Sequence, residues 1–378
     1  MNKKQVERYF RLLGELYPKK CRVILTGDKR QNPSVERGSV LHLLETEAGI
    51  RSAEVKEIQR QKERYKEAVK LLSDGRSTEG FAKLDKLGWI REVANDDERY
   101  KELARDYIDT IASGKECLVV CPSHLEGRNR VTGEIRWQLK ERGRLGDDRR
   151  VFPVLQNANL TEAQRGDDLS YCPSDVLEFH QNGKGFNRGQ RIKAGAGPLP
   201  LNQAKRFTVF RSRELELAPG DIVRITHNGR TKNRLHRLNN GTLYTIRGFT
   251  KTGDIVLNNS WVVSKDFGHL DHGYCVTAYG AQGKTVKHRV LVAQGSVSLP
   301  ATSKESFYVA CSRAKESVAV YCSNKEALLE AVSESDERLT ATELVNQARA
   351  REVVALHRRY PPTIEYERQR DRELSHER

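Results

Sequence analysis

The sequence is poor in the material of metal sites, disulfide frameworks and membrane spans. Its seven cysteines, at 21, 117, 121, 172, 275, 311 and 322, are scattered over 378 residues. None forms a Cys-x-x-Cys pair or a Cys/His set with zinc spacing, which excludes a zinc ribbon or a thioredoxin-type redox motif. Most of them sit in apolar, strand-like runs, the pattern of reduced thiols in a cytosolic protein. The ten histidines form no ligand-like cluster. No apolar run approaches the roughly 20 residues that cross a bilayer, and the opening "MNKKQVERYF" lacks the apolar core of a signal peptide. The expectation is a cytoplasmic chain with no metal-ligating set of its own and no membrane partner. Methionine occurs once, at Met1, which leaves open a true start or an internal position of a longer parent.

Positive charge, in contrast, is abundant. Lys and Arg outnumber Asp and Glu 66 to 51, a formal charge of +15. That favours an anionic partner, nucleic acid ahead of membrane, against the simpler reading of a solvated basic surface. The length suffices for two or three domains with their own cores.

One stretch imitates a phosphate-binding loop. Gly280-Ala281-Gln282-Gly283-Lys284-Thr285 ends in Gly-Lys-Thr. A Walker A loop, however, places four residues between its glycines, enough backbone N–H groups to wrap two phosphates. Here only Ala281 and Gln282 intervene, and the first-glycine position is Ala278. No other stretch has the spacing, so the chain carries no Walker A loop.

Periodicity gives the organisation. "VERYFRLLGELY" has helical spacing and stops at Pro18. "CRVILTGD" is a β-branched strand running into a Gly-Asp turn, and "SVLHLLE" a short helix. In "RQKERYKEAVKLL", Tyr65, Ala68, Val69 and Leu72 line one helical face. "FAKLDKLGWI", "ELARDYIDTIAS" and "GEIRWQLKERG" are further helices, and "CLVVCP" a buried strand. Such alternation predicts an α/β fold, a parallel sheet covered by helices. From about Val151 the texture changes to Gly-, Asn- and Pro-rich turns between short alternating runs ("RFTVF", "DIVRIT", "TLYTIRGF"), which predicts a small β-rich, barrel-like insert. "GYCVTA", "HRVLVA" and "SVAVYC" then resume the buried-strand texture. The end of the chain reads as a charged helical or disordered tail.

Four segments carry candidate chemistry. In "VILTGDKRQNPS" a strand delivers Gly27, Asp28 and then Gln31 to a loop, where a glutamine amide can orient a water or a phosphate oxygen; alone, it is equally a polar turn. Arg60, in "EIQRQKERY", follows a strand-like run and precedes a helix. A guanidinium there can stabilise charge on a transferring phosphoryl group, worth on the order of 10³–10⁵ in rate; seen alone it is also an ordinary surface arginine. In "CVTAYGAQGKT", Thr277 reads as a helix N-cap ahead of the corner Gln282-Gly283. In "ESFYVACSRAKESVAVYC", a short helix sets Ser312 and Arg313 before a strand.

In this order the four segments resemble the later motifs of superfamily-1 helicases of the RecD-like kind. The first is similar to the third motif, whose glutamine senses the terminal phosphate. "RQ" at 60–61 is similar to the fourth, "CVTAYGAQGKT" to the fifth, and "YVACSRA" to the sixth with its arginine finger. "GDKRQNPSVERGSVLHLLE", "VLEFHQNGKGF" and "FGHLDHGYCVTAYGAQGKT" extend the resemblance, over about residues 5–325, to the helicase module of MobF-type conjugative relaxase-helicases of the TraI/TrwC kind. The resemblance implies two RecA-like domains with a small barrel inserted in the second: 1–50 as the end of the first, 51–150 and 266–325 as the second, 151–265 as the insert and 326–378 as the tail. It implies Gln31, Arg60 and Arg313 as catalytic groups at the terminal phosphate of ATP, and Gly27, Asp28, Gln282 and Gly283 beside the nucleotide. It further implies Thr277, Tyr279 and Gln282 facing single-stranded DNA, with translocation 5′ to 3′.

The sequence departs from that pattern in three places. Tyr279-Gly280 stands where many relatives carry His followed by Ser or Lys. Walker A and the Asp-Glu of Walker B are absent: Asp97-Glu98 and Asp336-Glu337 follow no apolar strand. The relaxase tyrosine and histidine cluster are also absent. ATP and Mg²⁺ are therefore expected to be held largely by an N-terminal RecA-like or relaxase segment, in a parent chain or in trans. The expected function is the C-terminal motor half of a conjugative DNA helicase. The alternatives are a non-enzymatic single-stranded-DNA-binding fragment or split subunit, and an inactive remnant.

Overall fold

The computed structural model describes residues 57–122 and 125–336, with 11, 15, 24–28, 30, 31, 44, 45, 49–53 and 345 besides. The chain divides into two units, residues 58–333 and residues 1–57 with 334–378. The helix expected at 6–17 lies outside the described residues except for Arg11 and Glu15, both helical, and most of the charged tail lies outside them as well. Residues 24–28, expected in a strand, adopt none, and Ile24 is exposed.

In the 58–333 unit the strands run in chain order β1 Ile90–Glu92, β2 Cys117–Val120, β3 Arg150–Asn157, β4 Val176–Phe179, β5 Arg191–Lys193 and β6 Phe207–Leu217. They continue as β7 Ile222–Ile225, β8 Gly229–Arg230, β9 Arg237–Leu238, β10 Leu243–Phe249, β11 Ile255–Leu257, β12 Val262–Val263 and β13 Leu270–His272, then β14 Cys275–Val276, β15 Arg289–Gln294 and β16 Ser317–Cys322. The first two and last three form a wholly parallel sheet, ordered β1-β16-β15-β2-β14.

This sheet is buried on both faces, which is why its strands read as unbroken apolar runs. Val120, Val290, Val292, Val318 and Val320 point into one core and Val119, Leu291, Ala293, Ala319 and Tyr321 into the other. The first core is closed by the helices Glu63–Ser73, Ser77–Lys86 and Lys304–Cys311. Tyr65, Ala68, Val69 and Leu72 all enter it, as their spacing predicts. The second is closed by Leu103, Tyr107 and Ile108 of Asp96–Ala112 and by Val131, Ile135 and Leu139 of Leu125–Glu141. Asp97 and Glu98 lie in the first turn of Asp96–Ala112, capped by Asn95, whose side chain accepts from both of their N–H groups at 2.9 and 3.0 Å. Acidic residues favour that end of a helix dipole, and Asp97 pairs with Arg130 at 2.9 Å.

"FAKLDKLGWI" is only partly helical. Its helix ends at Lys86, Gly88 takes a left-handed φ of 69°, and Ile90 turns into the edge strand β1.

Between β2 and β14 the chain builds two antiparallel sheets, β12-β11-β10-β7-β13 and β3-β6-β4-β5, with a small β8–β9 hairpin. Phe152, Val154, Leu215 and Leu217 of one sheet pack with Val223, Ile225, Ile246, Leu257 and Leu270 of the other. Among the described residues these are two sheets over a shared core rather than one closed ladder; Leu155 N–H donates across to Gly268 O at 2.7 Å. The antiparallel strands run from Arg150 to His272, past the residue-265 boundary drawn from the sequence. The signal was weak because β13, three residues long, has no alternation to read.

Candidate functional site

The 58–333 unit brings Arg60 and the Ser312-Arg313 turn together. Helix Lys304–Cys311 begins with a capping box, in which Ser303 accepts from Ser306 N–H at 3.2 Å and Ser306 Oγ accepts from Ser303 N–H at 2.7 Å. The helix ends at Ser312 and leaves 312–316 as the approach to β16. Arg60 Nη1 donates to the carbonyl oxygen of Ser312 at 2.6 Å, which uses one of five guanidinium N–H donors. Gln61, buried, donates through Nε2 to the same carbonyl at 2.9 Å and to that of Ala314 at 2.5 Å. Tyr65, one turn into the helix Glu63–Ser73, donates to the carbonyl of Cys311. Burial first, and then Cys311, push the Tyr65 hydroxyl well above its ordinary range, against the pull of Arg60 and Arg313, so it remains a neutral donor.

Arg313 is only 2 % exposed and lies back on its own helix. Its Nε donates to Val309 O at 2.9 Å and Nη2 to Ser312 Oγ at 2.6 Å. Arg60 and Arg313 therefore meet where β16 begins. This is the N-terminal end of that strand, because helix Lys304–Cys311 runs out five residues before β16 starts at Ser317.

The fifth-motif segment joins the two ends of the parallel sheet. Thr277 follows β14 and caps the one-turn helix Ala278–Ala281, its Oγ1 accepting from Gly280 N–H at 3.0 Å. Ala278 and Ala281 are buried in the same core as Phe307 and Cys311. Gln282 and Gly283 stand exposed at the corner, and Tyr279 is 42 % exposed. Gly283 has φ 81°; an added Cβ would meet nothing within 4 Å, so backbone conformation rather than space demands glycine. Lys284 N–H then bonds Ala281 O at 2.9 Å. Val286 N–H donates to Arg313 O at 3.0 Å and Val286 O accepts from Lys315 N–H at 3.1 Å. The segment that starts at Thr277 thus ends on Arg313 itself.

Gly27, Asp28 and Gln31 belong to the other unit and form one turn. Gln31 Nε2 donates to Asp28 Oδ2 at 2.8 Å, and Arg30 N–H to Asp28 Oδ1 at 3.0 Å. The sequence marked Gln61 only as the neighbour of Arg60 in the fourth motif and Tyr65 only as part of a helical face, neither as a site residue. Their partners are backbone carbonyls about 250 residues away, and such pairing leaves no periodic trace.

The AAA domain family matches residues 3–95, and the viral superfamily 1 RNA helicase core domain matches residues 190–322. The first range holds Gly27 through Arg60, the second Thr277 through Arg313. Over the second range the chain is similar to a superfamily 1 helicase core, and over the first to an AAA domain. The multifunctional conjugation protein TraI of Escherichia coli (strain K12) is 24% identical over 286 residues, covering 68% of this chain. A second Escherichia coli protein of that name is 24% identical over 288 residues. This chain spans 16% of the length of each. Among solved structures, Pif1 helicase from Candida albicans aligns at 14% identity and a TM-score of 0.36, covering 78% of this chain and 60% of that one. Bacteroides sp Pif1 in complex with ADP-AlF4 aligns at 14% identity and 0.27, covering 79% and 56%. The family matches and the TraI relatives support a helicase-type function. Among the described residues no helix is long and apolar enough to cross a membrane.

Proposed function

We propose that the chain is the C-terminal motor half of an ATP-dependent DNA translocase that serves conjugative DNA processing, and that it works in the cytoplasm. Its own part is the second RecA-like domain, whose parallel sheet is built on either side of the antiparallel insert. In this reading Arg60 and Arg313 act on the terminal phosphate, and Gln31 has the water-orienting role that its motif implies. Thr277, Tyr279 and Gln282 face single-stranded DNA, and Gln282-Gly283 link that strand to the nucleotide.

The observation that carries the reading is the junction where Arg60 and Gln61 donate to the carbonyls of 312 and 314 on either side of Arg313. Two segments distant in sequence converge there, and the fifth-motif segment, a third, terminates on Arg313. Two guanidiniums at one turn fit an anionic group. ATP with Mg²⁺ would supply there a phosphoryl group whose developing charge these side chains can meet. Arg60 keeps free donors for an oxygen. Arg313 would have to leave Val309 O and Ser312 Oγ, a rotation that costs two hydrogen bonds and exposes the charge. The cradle for the other phosphates and the metal comes, on this reading, from a P-loop segment outside the sequence, upstream in a longer chain or in trans.

Purified chain alone, assayed for DNA-stimulated ATP hydrolysis, is the direct test. The expected result is no helicase-like turnover without a P-loop segment and recovery when one is fused upstream. Robust turnover by the chain alone contradicts the division of labour. The Gly280–Gly283 spacing also favours a second reading, a single-stranded-DNA-binding subunit without catalysis, for which fusion would restore nothing.

A further inference from the structure

A pocket of about 250 Å³ opens where the helix Leu125–Glu141 meets strands β6, β7 and β13. Three arginines line it: Arg128 from the helix, Arg213 from β6 and Arg224 from β7. All three converge on one carboxylate. Asp271 faces Arg224 across the β7–β13 ladder and receives Arg224 Nη2 at 3.3 Å, Arg213 Nη2 at 2.5 Å and, more loosely, Arg128 Nη1 at 4.0 Å. One negative charge against three leaves an excess of two positive charges among the residues that line the pocket.

Hydrogen bonding is incomplete in the same place. The Nε atoms of Arg128, Arg213 and Arg224 and Oγ1 of Thr226 are buried without a partner. Buried donors left unmet are costly, and four such atoms belong to residues that line this one cavity. Asp271 holds the guanidiniums in a fixed array with both of its oxygens engaged, and it also accepts from His272 N–H at 2.9 Å. The array therefore stands ready for an oxyanion rather than a cation.

The size of the excess selects the anion. A phosphodiester or a carboxylate carries one charge. A phosphate monoester carries about −1.5 to −2 at neutral pH and three acceptor oxygens, and guanidinium forks suit those oxygens. Phe210 and His227, in edge contact at 6.5 Å between ring centroids, form an apolar wall beside the arginines. The space holds a terminal phosphate with its sugar and is too small for a threaded strand.

We infer that this pocket binds a phosphate monoester, carried by a free mononucleotide or by the phosphorylated end of a nucleic-acid strand. The inference stands apart from the motor reading, which needs only phosphodiester contacts along the strand.

The test is fluorescence anisotropy on the full chain at fixed salt, with a short oligothymidylate carrying a 5′-phosphate, a 3′-phosphate or neither, and with thymidine 5′-monophosphate as a separate ligand. One phosphorylated end should bind about tenfold or more tightly than the unphosphorylated strand. A mononucleotide that binds while the strands show no end preference assigns the pocket to free nucleotide. Absence of both effects overturns the inference, and this comparison needs no variant. Arg128→Gln and Thr226→Val locate the effect, because neither removes a close partner of Asp271. With unfolding midpoints unchanged, both should lose the preference and keep the affinity for unphosphorylated strand. Retention of the full preference in both folded variants assigns it elsewhere and overturns the pocket. Loss of affinity for every strand alike would make the pocket part of the strand's own path and overturn its preference for a phosphate monoester.

Discussion

The side-chain amide of Gln61 donates to the carbonyl oxygen of Ser312 at 2.9 Å, and it reaches that of Ala314 at 2.5 Å. One buried amide thereby fixes the backbone on both sides of Arg313. Gln61→Leu leaves two buried carbonyls without that donor. Ser312 O keeps its bond from Arg60, so the stranded group is Ala314 O; one such group costs about 1–3 kcal/mol, and urea unfolding should show a loss of that order. Gln61→Glu should be worse than Gln61→Leu, since a carboxylate brings charge and no donor to two carbonyl oxygens.

Thr277 caps a helix of only four residues, with no other turn to share the load. Thr277→Ala should cost about 0.5–2 kcal/mol and Thr277→Ser close to nothing. Thermal unfolding of the two variants checks this. Equal losses would mean that the methyl group, not the hydroxyl, matters.

Glu178 links the two antiparallel sheets. It accepts from Arg191 at 2.7 Å and contacts His269 Nε2 at 2.8 Å. Burial works to raise its carboxyl, but the His269 bond and the nearby Arg191 outweigh it and hold the group down at about 2, from an ordinary 4.5. A depressed carboxyl stabilises the fold fully above its unfolded value and ceases to do so as pH falls through the folded one. Stability should therefore decline between about pH 4.5 and pH 2. Glu178→Gln should lower stability at neutral pH and flatten the decline in that window. An unchanged acid limb in the variant would show that other carboxylates govern it.

Arg230 and Arg237 sit directly opposite each other in the β8–β9 ladder. Like charges so placed repel, which makes them candidates for contact with an anionic strand. Each phosphate neutralised on a single strand contributes about −0.7 to the slope of log affinity against log salt. Arg230→Gln with Arg237→Gln should reduce that slope by roughly one such increment or two and leave stability equal or slightly higher. A slope that does not move puts the strand elsewhere on the chain.

Burial explains which parts of this architecture were readable. "CLVVC", "RVLVA" and "SVAVYC" announced a parallel sheet because both of its faces are covered. The helix Glu63–Ser73 was legible because Tyr65, Ala68, Val69 and Leu72 all face one core. Strand β1 was not: it spans three residues directly after a helix, and only Gly88 marks the break. The insert's texture was clear, but its far boundary was not, since His269 and His272 interrupt any alternation around β13. Ordered motifs identified Arg60 and Arg313 as a pair. The clamp of Gln61 on the carbonyls around Arg313 depends on tertiary closure and is invisible until the chain is folded.

The central claim is that Arg313, not Lys284, serves the phosphate. Lys284 contributes a backbone bond to Ala281 O at 2.9 Å, which any side chain at that position can keep. The decisive measurement is DNA-stimulated ATP turnover by the chain fused to an upstream P-loop segment, with Arg60→Lys, Arg313→Lys and Lys284→Ala compared at matched DNA binding. Lysine retains charge but loses the planar, multi-donor fork. The account predicts a fall of about 10²-fold or more for each arginine variant and a far smaller one for Lys284→Ala. Turnover abolished in Lys284→Ala and preserved in Arg313→Lys would contradict it.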